Sequence, residues 1–238
     1  MDLKDKVVVI TGGSSGLGEA VAYQLADLGS RIILLARTEK DLKRVTDQIN
    51  KKKGQADYFV CDITDLNHVK TTISQIVNKY KTIDILINNA GIWTDKEIEE
   101  KDPVTIENVF KTNALGQIFM TKSVLPIFKK QNAGHILFTI SGAGYYDSDN
   151  TLWQVYGSSK WAMTGYVKSL KDDLKNTPIK VTGFYPGGFE SMLYEKANRP
   201  NPHRQPWMMN TEDIAKAVIF CLVQPNDVLI ETLVVSKK

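Results

Sequence analysis

The stretch that decides the fold is KVVVITGGSSGLGEAV, residues 6–21, in which an apolar run leads directly into a glycine-rich turn. Residues 7–11 predict a buried strand, and the residues from Gly18 onward predict a helix. Glycines at this junction allow a tight turn, and a helix N-terminus offers free N–H groups to an anion. Because the spacing is not the common GxGxxG, the prediction depends on the position between strand and helix. The turn is interpreted as a dinucleotide phosphate site formed by Gly12, Ser14, Ser15, Gly16, Leu17 and Gly18.

The same alternation of apolar runs and amphipathic segments continues outward from this turn. It predicts strands at residues 7–11, 31–36, 56–61, 83–88, 135–140, 180–185 and 228–235, and helices at 18–28, 39–52, 66–79, 104–130, 156–174 and 211–222. The pattern indicates an α/β fold, a doubly wound parallel sheet of Rossmann type with helices on both faces. Without a linker, residues 1–238 form a single domain in this interpretation. Residues 191–207 contain three prolines and are predicted to be a lid loop over the site.

Composition restricts the classes of function. The 30 Lys and Arg residues against 27 Asp and Glu give a net charge of +3 that is spread along the chain, which argues against nucleic-acid binding. Residues 1–10 carry charges and only a strand-length apolar run, so we expect neither a signal peptide nor a membrane span, and a cytoplasmic protein. Cys61 and Cys221 lie in separate apolar segments and are interpreted as buried free thiols. No metal site is predicted.

The end of the second predicted strand bears on the choice of dinucleotide. Folds that prefer NAD usually carry an acid there to accept from the adenosine 2′-hydroxyl, whereas this chain has Ala36-Arg37. A guanidinium can pair with a 2′-phosphate and stack on adenine, so Arg37 favours NADP, with NAD as the alternative. In the alternative, Arg37 is an ordinary surface residue and Glu39 supplies the acid.

A second acidic position follows the third predicted strand. Cys61-Asp62-Ile63 reaches the same sheet edge, and Asp62 with Ile63 is assigned to the dinucleotide. Asp62 could accept from the adenine amino group. It could instead cap the helix that starts near Asp65.

Three further residues indicate proton-transfer chemistry. Ser141 follows the strand predicted at 135–140, and Tyr156 and Lys160 lie four residues apart in a helical segment, so both project from one helix face. A neighbouring ammonium stabilises a phenolate, which predicts a lowered pKa for Tyr156 and a role as general acid and base.

Together with Asn88-Asn89-Ala90-Gly91, Asn113 and Pro186-Gly187, these motifs resemble the short-chain dehydrogenase/reductase family from Lys6 almost to the end. The resemblance implies that Asn89, Ala90 and Gly91 contact the adenosine half of the cofactor. It implies that Asn113 sits at a break in a long helix and holds a relay water with Lys160, which also holds the nicotinamide ribose. Ser141 would bind the substrate oxygen, and Pro186 and Gly187 would shape the nicotinamide turn. Ser191 stands near where the family often has a threonine that contacts nicotinamide.

The resemblance also implies a reaction: hydride transfer between nicotinamide and a small carbonyl or alcohol, such as a 3-oxo or 3-hydroxy acid or a related ketone. A homodimer or homotetramer is expected. The alternative is a non-catalytic, dinucleotide-sensing binding protein of the same fold. Lys196, Arg199 and Arg204 could bind an acidic substrate. Candidate substrate walls, which could equally be core or subunit contacts, are Trp93, Tyr145, Tyr146, Trp153, Phe189 and Trp207.

Overall fold

A computed structural model describes residues 2–94, 97–146, 153–197 and 205–238 of the chain. Within these ranges seven strands form one sheet. Their bounds are β1 Val7–Thr11, β2 Arg31–Ala36, β3 Gln55–Val60, β4 Ile85–Asn88, β5 Gly134–Thr139, β6 Ile179–Pro186 and β7 Thr232–Val235.

The strand order is β3-β2-β1-β4-β5-β6-β7, and every neighbouring pair is parallel. The chain therefore builds outward from β1 to β3 and then crosses back to place β4 on the other side of β1. At such a switch point, the carboxyl ends of the strands open a crevice where ligands bind. The predicted doubly wound parallel sheet is confirmed.

The helices in the described ranges cover both faces of this sheet. Side-chain caps fix where three of them begin: Asp65 accepts from the backbone N–H groups of the first turn of one helix, and Asp102 and Asn210 do so at two others. The bounds are α1 Gly16–Asp27, α2 Glu39–Lys51, α3 Leu66–Tyr80, α4 Pro103–Phe110, α5 Gly116–Gln131, α6 Gln154–Leu174, α7 Leu193–Lys196 and α8 Thr211–Leu222.

The core lies in two layers because successive strand residues point to opposite faces of the sheet. Val7 and Val9 of β1 join the cluster that contains residues of α3, α5 and α6. Val8 and Ile10 join the cluster that contains residues of α1, α2 and α8. Cys61 and Cys221 are buried free thiols, one in each cluster, as expected.

The helix predicted over residues 104–130 is interrupted. A π-helical turn, Lys111–Leu115, separates α4 from α5. The side chain of Asn113 in this turn holds the backbone of Ile92: Oδ1 accepts from Ile92 N at 2.8 Å, and Nδ2 donates to Ile92 O at 2.9 Å. The break at Asn113 that the family resemblance implied is therefore confirmed, although apolar periodicity continues on both sides of the turn and does not itself reveal it.

The strands predicted at 83–88 and 228–235 are shorter in the structure. Asp84 precedes β4, and its carboxylate accepts from Val7 N and Lys6 Nζ at 2.9 and 3.1 Å. Before β7, Lys180 Nζ donates to the carbonyls of Pro225 and Val228. Side-chain hydrogen bonds of Asp84 and Lys180 thus hold the segments that lead into these two strands.

Two kinds of feature are absent from the described residues. No helix there is long and apolar enough to cross a membrane. Over the same ranges, no group of three or more His, Cys, Asp or Glu side chains is arranged to hold a metal ion.

His135 in β5 is a buried histidine that the core keeps neutral. Its Nε2 lies 2.8 Å from Thr182 Oγ1, and the Thr182 hydroxyl donates in turn to Ile230 O. Nε2 therefore carries the proton, and the buried Nδ1 has no partner. Burial, reinforced by the charge of Lys180, lowers the pKa of His135 to about 3 from its ordinary 6.5.

We expect this histidine to make the protein acid-sensitive. Between about pH 6.5 and 3 the unfolded chain binds one more proton than the folded chain, so the free energy of unfolding falls by roughly 1.4 kcal/mol per pH unit as the pH drops. His135→Asn should remove this contribution. When the pH falls from about 6.5 to 5, the free energy of unfolding, measured with urea, should therefore decrease by roughly 2 kcal/mol less in the variant than in the parent. Thr182→Val keeps the histidine and should show the same dependence of the free energy of unfolding on pH as the parent. Equal slopes for the parent and His135→Asn would contradict the assignment.

Candidate active site

The glycine-rich turn leads from β1 into α1, which begins at Gly16, two residues before the predicted start. Gly12 and Gly16 have φ values of +67° and +57°, which side chains rarely adopt. A Cβ on Gly12 would lie 2.9 Å from Ala90 Cα, and one on Gly18 would lie 2.4 Å from the Gly12 carbonyl oxygen. The turn therefore requires glycine for its conformation at two positions and for close packing at Gly18.

The loop after β4 is tied to this turn. Thr11 Oγ1 accepts from the backbone N–H groups of Asn89 and Ala90, both at 3.0 Å, and Asn89 Nδ2 donates to Thr11 O at 3.1 Å. The Asn89 side chain thus holds the end of β1 in place. It supports the turn from inside the protein, as well as bordering the crevice.

An arginine that the sequence analysis did not identify braces the turn from the outer side. Arg44 Nη1 and Nη2 donate to the two carboxylate oxygens of Glu19 at 2.6 and 2.8 Å, and Nη2 also donates to Ser14 O at 3.2 Å. Tyr23 donates to the same carboxylate at 2.8 Å. Glu19 lies in the first turn of α1. Arg44 therefore neutralises a carboxylate next to the N-terminus that an anion would approach.

Ser141, Tyr156 and Lys160 meet at the carboxyl end of β5. Ser141 Oγ accepts from Ala143 N at 3.1 Å, which leaves its hydroxyl proton available to another acceptor. Tyr156 and Lys160 are 8% and 4% exposed. Lys160 Nζ lies 5.6 Å from the centre of the Tyr156 ring and donates to Thr139 O at 3.5 Å. The three side chains thus share one buried corner.

The expected lowering of the Tyr156 pKa is wrong for this structure. Burial raises the pKa of Tyr156 to about 12, and a hydrogen bond with Ser141 lowers it only in part. Burial also lowers the pKa of Lys160 to about 8. Desolvation disfavours the charged form of each group and is the largest cause of both shifts. At neutral pH the phenol holds its proton, and the amine is still mostly an ammonium ion.

Asn113 lies behind this corner and is fully buried. Beyond the Ile92 backbone, its Nδ2 donates to Ser159 Oγ at 3.0 Å. A Cβ on Gly91 would lie 3.4 Å from Asn113 Oδ1 and 3.5 Å from Lys160 Nζ, so both side chains approach the same side of Gly91. The Asn113 side-chain amide thus anchors the loop after β4 beside Lys160.

One cavity joins the glycine turn to the buried corner. It has a volume of about 560 Å³, within the range of small-molecule sites. The predicted site residues that line it are Gly12, Ser15, Gly16, Leu17, Asn89, Ala90, Gly91, Ser141, Tyr156, Lys160, Pro186, Gly187 and Ser191. The predicted residues outside its lining are Ser14, Gly18, Arg37, Asp62, Ile63 and Asn113.

Two of the residues outside the lining lie at the ends of β2 and β3. Arg37 is exposed and interacts electrostatically with Asp62. Glu39, the alternative acid, accepts from the Tyr58 hydroxyl at 3.1 Å. Nearby, Ile63 is buried, and its side chain packs against Gly116 of α5.

The alternative role of Asp62 as a helix cap is wrong. Asp65 caps α3, whereas Asp62 Oδ1 accepts from Thr64 N and Thr64 Oγ1 at 2.9 and 2.8 Å. Burial raises the pKa of Asp62, but these hydrogen bonds outweigh it and the net pKa is lowered. Asp62 is therefore an ionised acceptor at the sheet edge.

Aromatic side chains form much of the wall beyond Tyr156. Of the candidates from the sequence, Trp93, Tyr146, Trp153 and Phe189 line the cavity. Tyr145 and Trp207 do not line it: the Tyr145 ring packs against Tyr185, and the Trp207 ring lies over Gly188.

The residues after β6 add walls that the sequence analysis did not single out. Met192, Leu193 and Tyr194 belong to the predicted lid segment and line the cavity. Tyr194 packs on Trp93 with ring centres 4.8 Å apart. Arg199, Arg204 and the side chain of Lys196, the candidates for binding an acid, lie outside the described residues.

Comparison with known proteins matches this architecture. A family model described as short chain dehydrogenase matches residues 6–202. An uncharacterised oxidoreductase of Staphylococcus saprophyticus is 30% identical over 236 residues, which cover 99% of this chain and 98% of the relative.

Solved structures of dehydrogenases have the same fold as this chain. The alcohol dehydrogenase of the archaeon Thermococcus sibiricus, complexed with 5-hydroxy-NADP, superposes with a TM-score of 0.89 at 25% identity, covering 98% of this chain and 97% of that one. A short-chain dehydrogenase/reductase of Burkholderia phymatum in complex with NAD has a TM-score of 0.88 at 22% identity, covers 98% and 90%, and bears on the fold alone. With the family model matching most of its length, the chain belongs to the short-chain dehydrogenase family of oxidoreductases.

Proposed function

We propose that the chain is an NADP-dependent reductase that transfers hydride between nicotinamide and a small carbonyl or alcohol, with Tyr156 as general acid and base. The observation that carries this proposal is the single cavity in which Ser141, Tyr156 and Lys160 meet the glycine turn. A phosphate site and a proton donor joined in this way are what hydride transfer from a dinucleotide requires.

The glycine turn fits the phosphates of a dinucleotide. Gly12, Ser15, Gly16 and Leu17 line the cavity where α1 begins, and side chains at the glycines would obstruct the turn. In the proposal Ser14, Gly18 and Asn89–Gly91 support this half of the site. Lys160 holds the nicotinamide ribose, and Pro186, Gly187 and Ser191 border the ring.

In the proposed reaction, side chains of the protein supply the proton. When bound, the reduced nicotinamide supplies the hydride that adds to the carbonyl carbon. Ser141 donates a hydrogen bond to the carbonyl oxygen, and Tyr156 transfers its proton there as the C–O double-bond pair moves onto oxygen. Because the Tyr156 pKa is raised, the phenol is protonated at neutral pH, which suits the reducing direction. Asn113 positions the loop beside Lys160 and supports the relay that returns a proton.

Arg37 favours NADP over NAD. It is an exposed cation at the end of β2, and the alternative acid, Glu39, is already hydrogen-bonded to Tyr58. Asp62 and Ile63 then border the adenine. The relative from Thermococcus sibiricus, which binds 5-hydroxy-NADP, supports the same choice.

The proposal extends to the lid and the assembly. The lid expected at residues 191–207 begins with Ser191, Met192 and Tyr194, which line the cavity, and its residues 198–204 lie outside the described ranges. A homodimer or homotetramer forms through the helical segments that contain Asn113 and Tyr156, where Leu115 and Trp161 are 43% and 44% exposed in the single chain.

A panel of ketones, aldehydes and alcohols tests the proposal. The purified protein is incubated with each compound and either NADPH or NADH, and the absorbance of the reduced nicotinamide is followed. We expect consumption of NADPH with at least one carbonyl and slower consumption of NADH. Tight binding of NADPH without turnover of any compound would favour the dinucleotide-sensing alternative.

Arg44 provides a further prediction. In Arg44→Ala the Glu19 carboxylate is no longer neutralised beside the phosphates, so the dissociation constants of NADPH and NADH should both rise about 5- to 10-fold. The kcat at saturating cofactor should not change, because Arg44 is a positioning residue outside the cavity. Cofactor fluorescence titration and steady-state kinetics measure the two quantities.

Glu19→Gln provides the control for Arg44. Placed in the Arg44→Ala background it removes the uncompensated charge and should restore most of the affinity, as a double-mutant cycle would detect. Failure of this second substitution to restore binding would mean that the arginine acts in another way.

A further inference from the structure

The cavity beyond Tyr156 has a composition that restricts the substrate. We define the substrate chamber as the part of the cavity lined by aromatic and apolar side chains from the three connections that follow β4, β5 and β6. These residues are Trp93, Tyr146, Trp153, Phe189, Leu193 and Tyr194. The ring of Trp153 packs edge-on against Tyr156 at 6.3 Å, and Tyr194 interacts electrostatically with the same phenol. The chamber therefore directly adjoins the proton donor.

Charge is nearly absent from this lining. Among the described residues that border the cavity, Lys160 is the single charged side chain. The proposed function already assigns Lys160 to the nicotinamide ribose, and burial lowers its pKa. The described lining therefore offers no further opposite charge to a carboxylate on the substrate, and burying such a charge unpaired is costly.

The shape of the walls favours a flat group. Trp93 and Tyr194 come from different loops, and their rings meet at 59° with centres 4.8 Å apart, so they form a corner of two ring faces. Aromatic rings gain most from packing against other rings or flat apolar surfaces. The volume of about 560 Å³ must also hold the nicotinamide end of the cofactor, which leaves space for a small molecule.

We propose that the substrate is an uncharged carbonyl compound carrying an aryl or other flat apolar group next to the C=O. This inference rests on the proposed function. The chamber receives that group against the corner formed by the Trp93 and Tyr194 rings, and the carbonyl oxygen points to Ser141 and Tyr156. Within the expected range of a 3-oxo or 3-hydroxy acid or a related ketone, this class favours the neutral ketone.

Three matched ligands test the class through binding alone. Methyl benzoylformate is a neutral aryl keto ester, benzoylformate is its free acid, and methyl pyruvate keeps the ester and ketone but replaces the ring by a methyl group. Each is titrated calorimetrically into the 238-residue chain saturated with NADP⁺. We expect the ester to bind about 100-fold more tightly than the acid, because the acid would bury an unpaired charge. We expect it to bind about 10-fold more tightly than methyl pyruvate, because the ring buries more apolar area.

Substitutions at Trp93 test whether this wall of the substrate chamber binds the aryl group. Trp93→Ala should weaken methyl benzoylformate about 10-fold, whereas Trp93→Phe should restore most of the affinity by keeping a ring on Tyr194. The dissociation constant of NADP⁺ should be the same in all three proteins.

The outcomes separate this inference from the proposed function. Equal or tighter binding of benzoylformate, equal binding of methyl pyruvate, or no binding of the ester would each overturn the substrate class. If the ester binds in the expected order but NADPH does not reduce it, the substrate class stands and the proposed reaction is wrong.

Discussion

Tyr156→Phe should lower kcat about 10³-fold or more for any carbonyl that the parent reduces. The substitution removes only the phenolic hydroxyl, which is the proton donor in the proposed reaction. Its ring remains to pack on Trp153, so the cavity keeps its shape. Single-turnover reduction with saturating NADPH measures the loss directly, and the dissociation constant of NADPH should stay within about 3-fold of the parent value.

The chain offers a matched control for this change. Tyr166 lies on the same helix, α6, and packs edge-on against Phe138 with ring centres 6.0 Å apart, outside the cavity lining. Tyr166→Phe removes the same atom and should keep nearly full turnover. Comparable rates for Tyr156→Phe and the parent would show that the proton reaches the substrate by another route.

The parts of this site that the sequence predicted are those encoded by local spacing. The glycine turn is continuous in sequence between a strand and a helix, and Tyr156 and Lys160 are neighbours on one helix face. Local patterns of this kind specify position without knowledge of the rest of the chain. The parallel, doubly wound sheet follows from the alternation of strands and helices, whereas the order of its strands was not predicted.

The parts that the sequence could not predict depend on contacts between distant segments. Arg44 reaches Ser14 from a helix whose exposed positions carry many charges, so nothing in its own surroundings marks it. The contact between Trp93 and Tyr194 joins segments a hundred residues apart. The direction of the Tyr156 pKa shift was predicted wrongly because spacing reveals the neighbouring ammonium, whereas the burial that dominates the pKa is a property of the folded chain.

Arg37→Ala should raise the dissociation constant of NADPH about 10- to 100-fold, as expected when a charged hydrogen-bond partner of a phosphate is lost. The dissociation constant of NADH should change by less than about 3-fold, because NADH has no 2′-phosphate for the guanidinium to pair with. The ratio of the two constants, measured by fluorescence titration of each reduced cofactor, isolates this residue from changes elsewhere in the site.

Arg31→Ala is the matched control, since Arg31 lies at the opposite end of the same strand and donates to Gln55 at 3.0 Å. It removes an equal charge and should leave the ratio unchanged. Arg37→Asp should go further and reverse the preference, because a carboxylate accepts from the 2′-hydroxyl of NADH and repels the 2′-phosphate of NADPH. Equal losses for both cofactors in Arg37→Ala would instead place the discrimination elsewhere. Arg37 would then be the ordinary surface residue of the alternative interpretation, and the choice of NADP would lose its main support.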